Sequence, residues 1–353
     1  MKKEQTVHML DSLIRMTRYR DSALIAKSLV ITIHELQGAN KVELYAVQGT
    51  EDPVVLNLLA RIDSSGISSK LKSPAPELSE DVSQAIVRCI QKKEIIQLEI
   101  SGGKELQVIF PILDSKGEIL SILIEHCQEN TPEQQQLTEA ILRIYQNYAS
   151  LLDESQRDRL TGLLNRETFI SEINKIIKNP NKETSEELYP QSRRRIYSEE
   201  VYTYWLGLLD IDHFKQVNDV YGHLYGDEVL ILLVRLMQTT FRKDDLLFRY
   251  GGEEFIIVLK THSKEGAAGA FERFRKTIEN YNFPQVGKVT VSIGYVQITG
   301  NDFPLTVVSR ADKALYYAKE HGRNCLFNYE DLVDRGELEN EDKIEEKNDV
   351  EFF

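Results

Sequence analysis

Two glycines followed by two carboxylates, Gly251-Gly252-Glu253-Glu254, split an apolar stretch into two strand-like runs, residues 246–250 and 255–259. A break this short predicts a β-hairpin with acid at its tip. Glycine at both central positions permits the positive φ of the primed hairpin turns, and it leaves no side chain over the turn to obstruct a ligand. Upstream, the apolar run at 206–209 ends in Asp210-Ile211-Asp212-His213-Phe214-Lys215. One acidic tip alone reads as a solvated turn, but acid at two strand ends predicts a bound cation.

Taken together, these segments resemble the GGDEF family, the diguanylate cyclases. Gly251 to Phe255 is similar to the family's signature, and residues 158–166 (Asp-Arg-Leu-Thr-Gly-Leu-Leu-Asn-Arg) to its opening motif. Asp210 to Asn218, with Gly222-His223 and Gly226-Asp227, resembles its metal and guanine segment. Val291-Ser292-Ile293-Gly294, and Ala311-Asp312-Lys313-Ala314-Leu315-Tyr316 through Lys319, Gly322, Arg323 and Asn324, resemble its closing motifs. The likeness runs from Asp158 to about Phe327, the size of one domain. Residues 179–200, rich in Asn, Pro, Ser and charge, are longer than the family's usual link and predict an inserted surface loop, whose Arg193, Arg194 and Arg195 read as solvated.

The spacing predicts a strand over 204–210, a helix over 227–241, the hairpin over 246–259, a helix over 265–281, a strand over 289–297 and a helix over 305–320. This βαββαβ order predicts an α+β, ferredoxin-like sheet with helices on one face. The resemblance implies the same palm-like domain, and it implies the site. Asp210, the carbonyl of Ile211 and Glu253 would hold Mg²⁺, with Mn²⁺ as a substitute, since hard oxygen ligands beside phosphate favour such ions. Glu253 and Glu254 at the tip and Lys215 would serve catalysis. Phe214, Asn218, His223, Asp227, Gly251 and Gly252 would contact the nucleotide, and Lys319 with Arg323 would grip the terminal phosphates of GTP. Asp212 reads as a turn acid taken singly.

Base choice follows from donor and acceptor chemistry. An ionised Asp227 accepts from both N1 and N2 of guanine, and Asn218 complements the remaining edge, whereas adenine offers no such donor pair. Arg242-Lys243-Asp244-Asp245 matches the family's RxxD inhibitory site, so Arg242 and Asp245 are expected to bind the product, cyclic di-GMP. Each domain would hold one GTP, so two must face each other in a homodimer to close the ring. The rival readings are a silent GTP or cyclic-di-GMP receptor and a cyclic GMP-AMP synthase, the latter disfavoured by Asp227.

The 353 residues exceed what one core usually organises, and the amino-terminal half reads as a separate unit. Apolar residues at helical spacing predict a helix over 7–36, followed by a strand over 41–47, a helix over 82–91 and a hairpin over 106–125. This order resembles a GAF sensor domain, with a PAS or other α/β sensor left open and no ligand legible. His8, His34 and His126 lack metal-ligand spacing. Pro132 opens a helix expected to run to Arg157, capped by Thr131, whose Leu137, Ile141, Ile144, Tyr148 and Leu151 alternate by four and three. That seam fits packing on its own unit or a parallel dimer. The expected domains are therefore 1–130 (sensor), 131–157 (signalling helix), 158–330 (catalytic) and 331–353 (tail).

The net charge of −13 disfavours nonspecific nucleic-acid binding, which needs basic surface. Residues 331–353 hold ten Asp or Glu against three Lys or Arg, which predicts a disordered tail. No apolar run approaches the roughly 20 residues of a membrane span, and the three scattered cysteines fit a reducing compartment, so a cytoplasmic location is expected.

Overall fold

The computed structural model describes residues 2–19, 21–48, 54–68, 79–100, 105–114, 117–178 and 202–339. The inserted loop at 179–200 and the tail from 340 onward lie outside these residues. The chain divides into two compact units, Met1–Ser155 and Gln156–Phe353.

The first unit contains α1 (Lys2–Thr17), α2 (Ser22–Gln37), β1 (Lys41–Gln48), β2 (Val55–Asp63), β3 (Gly66–Ser68), α3 (Glu80–Lys92), β4 (Ile96–Ile100), β5 (Glu105–Leu113), β6 (Ile119–Cys127) and α4 (Pro132–Gln156). Among the described residues, its six strands form one antiparallel sheet in the order β3-β2-β1-β6-β5-β4. Leu29, Ile33, Leu44, Leu123 and Ile141 join α2, α4 and one sheet face, while Ile86, Ile109, Ile122 and Ile124 join α3 to the other.

The helix expected over 7–36 is two helices. Asp21 caps α2 by accepting from the amides of Ala23 and Leu24, so the chain reverses before it. The helix α4 begins as expected, with a reciprocal cap in which Gln134 N–H donates to Thr131 Oγ1 and Thr131 N–H donates to Gln134 Oε1. Its predicted seam divides. Leu137, Ile141 and Tyr148 pack against the first unit's own core, whereas Ile144 and Leu151 are exposed.

The second unit contains α5 (Arg166–Lys178), β7 (Thr203–Ile211), α6 (Phe214–Tyr221), α7 (His223–Thr240), β8 (Leu246–Gly251), β9 (Glu254–Thr261), α8 (Lys264–Asn280), β10 (Val291–Ile298), α9 (Pro304–Glu320), β11 (Leu326–Asn328) and α10 (Tyr329–Asp334). The sheet order is β11-β10-β7-β9-β8, which is the ferredoxin-like order with one added parallel edge strand. Helices on one face only was the expectation, and the structure corrects it. Trp205, Leu209 and Ile211 face α7 and α8, while Leu206 and Leu208 face α5 and α9. The unbroken apolar run of β7 is what a strand covered on both faces requires. At Gly294 the backbone of α9 passes so close that a Cβ would meet Ala311 O and Leu315 N, which lets the helix lie flat on β10.

The tail boundary also moves. Residues 331–334 belong to α10, where Leu332 is 1% exposed and Tyr329 is buried beside it. Two apolar anchors hold this short helix despite its acidic surroundings.

Candidate active site

The hairpin forms where the glycines are, but its turn is not the primed kind expected. Gly251 pairs with Glu254, Gly252 and Glu253 stand at the tip, and the register shifts between Arg249 and Gly251. Neither Gly251 nor Gly252 has a positive φ. The turn is closed instead by Arg249, whose Nε and Nη2 donate to Gly252 O at 3.1 and 2.8 Å. Gly252 keeps the other expected property, since a Cβ there would meet nothing within 4 Å. The tip is bare surface.

Strand pairing brings the acids together. Asp210, near the end of β7, is the registered partner of Glu254 on β9, with Glu253 adjacent at the tip. Asp210 is 6% exposed, and burial followed by the neighbouring Asp212 pushes its carboxyl above the usual range. Lys319 of α9 forms an ion pair with Asp210 at 3.0 Å, and Arg323 adds further positive potential, yet these do not offset the desolvation. Glu253 and Glu254 are raised too, by burial first and then by the charge of Asp210. Carboxylates that raise one another in this way are a set of hard oxygen donors short of positive charge, which a divalent cation fits. Among the described residues, no three His, Cys, Asp or Glu side chains enclose an ion by themselves. The donors present fit an ion completed by backbone and phosphate oxygens.

The residues expected to read the base come from α6 and α7. Gly222, at φ 89°, turns the chain between them, and Gly226 is buried because Asn218 Oδ1 occupies the place a Cβ would take. That close approach sets half-buried Asn218 beside exposed Asp227 and His223. Phe214 is buried in the core under α6, so it supports the segment, while Lys215 is exposed. Arg242 and Asp245 occupy one turn before β8, where Asp245 Oδ2 accepts from Arg242 N–H at 2.8 Å. Burial raises the Asp245 carboxyl.

Three features were not legible. Asp212 is no exposed turn acid: at 6% exposure it accepts from Thr290 Oγ1 (2.6 Å), Ser292 Oγ (2.7 Å) and Asn324 N–H (3.0 Å), tying the end of β7 to β10 and to the turn after α9. Arg249 also pairs with Asp158 at 2.9 Å, while Leu164 O accepts from Arg249 N–H. The segment opening the second unit is thereby fastened to the acidic tip. Arg275 on α8 reaches Asn324 across 49 residues of sequence. Polar and charged residues far apart carry no pairing signal in one sequence.

Residues 180–325, which lie in the second unit, match the family model of the diguanylate cyclase GGDEF domain. The chain is 34% identical over 230 residues to diguanylate cyclase DgcM of Escherichia coli O157:H7, covering 65% of this chain and 49% of that protein. It is 33% identical over 259 residues to diguanylate cyclase DgcP of Pseudomonas aeruginosa (70% and 36%). To diguanylate cyclase A of Treponema denticola it is 43% identical over 124 residues (33% of each chain). The chain thus spans half or less of these curated relatives. Among the described residues, no helix is long and apolar enough to cross a membrane.

Proposed function

We propose that this protein is a diguanylate cyclase, condensing two GTP into cyclic di-GMP and two pyrophosphate. The observation that carries the reading is the registered pairing of Asp210 with Glu254, which sets three mutually repelling carboxylates beside a bare glycine tip and the Lys319 ammonium. Asp210, Glu253 and the Ile211 carbonyl would hold Mg²⁺ or Mn²⁺, which when bound would supply charge neutralisation at the triphosphate and make the 3′-hydroxyl more acidic.

This chain's own groups do the rest. The Glu253 carboxylate at the tip, or a water on the ion, is placed to accept the proton of the 3′-hydroxyl, with Glu254 beside it. Lys215 neutralises charge developing on the α-phosphate and the leaving pyrophosphate, and Lys319 with Arg323 holds the terminal phosphates. Gly251 and Gly252 leave room for the nucleotide, His223 flanks it, and Asp227 with Asn218 selects guanine. Each domain holds one nucleotide, so ring closure needs a homodimer, for which exposed Ile144 and Leu151, one heptad apart on α4, offer a seam. Arg242 and Asp245 bind product and limit accumulation. The first unit is a GAF-like sensor acting on a cytoplasmic enzyme.

Incubating the purified chain with GTP and Mg²⁺ and resolving the products by mass tests the reading. Cyclic di-GMP with stoichiometric pyrophosphate is expected. Bound GTP that stays unreacted would identify a silent receptor instead.

A further inference from the structure

The chain leaves α9 through an unusual turn. His321 ends the helix, and then Gly322, Arg323 and Asn324 have φ of 106°, 59° and 47° in succession. Two consecutive non-glycine residues in the left-handed region are disfavoured and persist where surrounding contacts over-determine them. Arg323 N–H donates to Ala318 O at 3.0 Å, closing the helix end, and the side-chain contacts converge on Asn324. Its amide donates to Asp212 Oδ2 at 3.0 Å, its side-chain Nδ2 donates to Glu279 Oε1 at 2.7 Å, and Arg275 Nη1 donates to its Oδ1 (2.7 Å) and its carbonyl (3.2 Å). Arg275 is 8% exposed and is itself held by Glu272, through Nε and Nη2 at 2.8 Å each, and by Glu279 at 3.1 Å. Two residues link this cluster to the carboxylates of the site: Asp212, whose charge acts on Asp210, and the residue next in line, Arg323, whose side chain is exposed and whose charge also acts on Asp210.

We propose that Arg275, acting through Asn324, is a positioning residue that fixes the strained turn so that Arg323 faces the nucleotide's terminal phosphates. A merely stabilising ion pair would need only Glu272 and Glu279, which lie one helical turn away on α8. The two donations to Asn324 are additional, and they depend on the guanidinium fork. An ammonium cannot make these five donations to three residues at once. Asp212 accepts from the Asn324 backbone N–H, so the turn is tied both to α8 and to the end of β7.

The proposal rests on the assignment of Arg323 to the phosphates, and its test is read on binding, so that it is separable from turnover. Affinity for guanosine 5′-(α,β-methylene)triphosphate with Mg²⁺ is measured by titration calorimetry on the full chain, with the parent's cyclic di-GMP synthesis recorded alongside. Arg275→Lys and Asn324→Ala are each expected to weaken analogue binding about tenfold, and to raise KM for GTP about tenfold while kcat changes less than threefold. In an Arg323→Ala background, neither substitution should weaken binding further, because the group they position is gone. An independent, additive loss in that background would show a structural role and overturn the proposal, as would unchanged affinity in both single variants. A parent that binds the analogue but makes no cyclic di-GMP sinks the cyclase reading and leaves this one standing. A parent that does not bind the analogue overturns both.

Discussion

Both units bury carboxylates against a sheet, and Glu43 in the first and the Asp210 cluster in the second are treated in opposite ways. In the first unit, Glu43 on β1 is 3% exposed and accepts from Lys41, Tyr45 and His126; burial opposes its ionisation, but these partners hold its carboxyl down at about 2. In the second unit, Asp210, Glu253 and Glu254 are gathered, with Lys319 paired to Asp210, and all three are raised. A carboxylate satisfied from within the protein serves the fold. Carboxylates left short of positive charge at a surface tip are unfinished without a ligand, and the contrast marks where chemistry belongs.

The sharpest way to break this comparison is Glu253→Gln. The amide keeps the shape of the tip and relieves repulsion with Asp210, so folding should be unharmed or slightly improved. Product formation should fall by on the order of 10³-fold or more, because the proton acceptor and a ligand charge are lost together. Thermal unfolding and cyclic di-GMP yield, measured on the same preparation, check both halves. Undiminished synthesis would remove Glu253 from the site.

What was readable before the fold was known was local. The hairpin, the acids at two strand ends and the helix start at Thr131 depend on neighbours within a few residues, and each is present. The reversal at Asp21 was legible as an N-cap but was overridden by the apolar periodicity on both sides. Cover on both faces of the second sheet was legible in the run Trp205-Leu206-Gly207-Leu208-Leu209, which leaves no polar face. The non-local devices were not. Arg249 closing the tip and reaching Asp158, and Arg275 reaching Asn324, are set by tertiary packing, and no periodicity announces them.

A second buried glutamate in the first unit sharpens the comparison from the other side. Glu125 on β6 is 5% exposed, and its hydrogen-bond partner is Thr138 Oγ1 on α4 at 3.3 Å; burial pushes its carboxyl up to about 7. The fold therefore prefers its protonated form. Its contribution to stability is complete below pH 4.5, the ordinary value, and is lost as pH rises through about 7, to a total of about 3 kcal/mol. Urea unfolding across that range should show the loss, and Glu125→Gln should flatten it. Trp205, the single tryptophan, reports the second unit, so a pH-dependent transition seen by circular dichroism but not by its fluorescence belongs to the first. A parent whose stability is level from pH 4.5 to 7 would show that Glu125 is solvated more fully than its burial implies.

The smallest expected effect concerns the pair just before the hairpin, which lies between the two behaviours. Asp245 is engaged within the protein, capping the amide of Arg242, while the Arg242 side chain is exposed. Replacing Asp245 would loosen the turn as well as any ligand contact, so Arg242→Ala is the cleaner probe. Loss of the arginine fork should remove on the order of 1 to 3 kcal/mol of guanine recognition, weakening product binding tenfold or more while leaving the carboxylates at the tip untouched. Initial rates should match the parent's, and final yields should rise. Progress curves with added cyclic di-GMP separate the outcomes: the parent slows and the variant does not. Equal slowing in both would place Arg242 with the residues that serve only the fold.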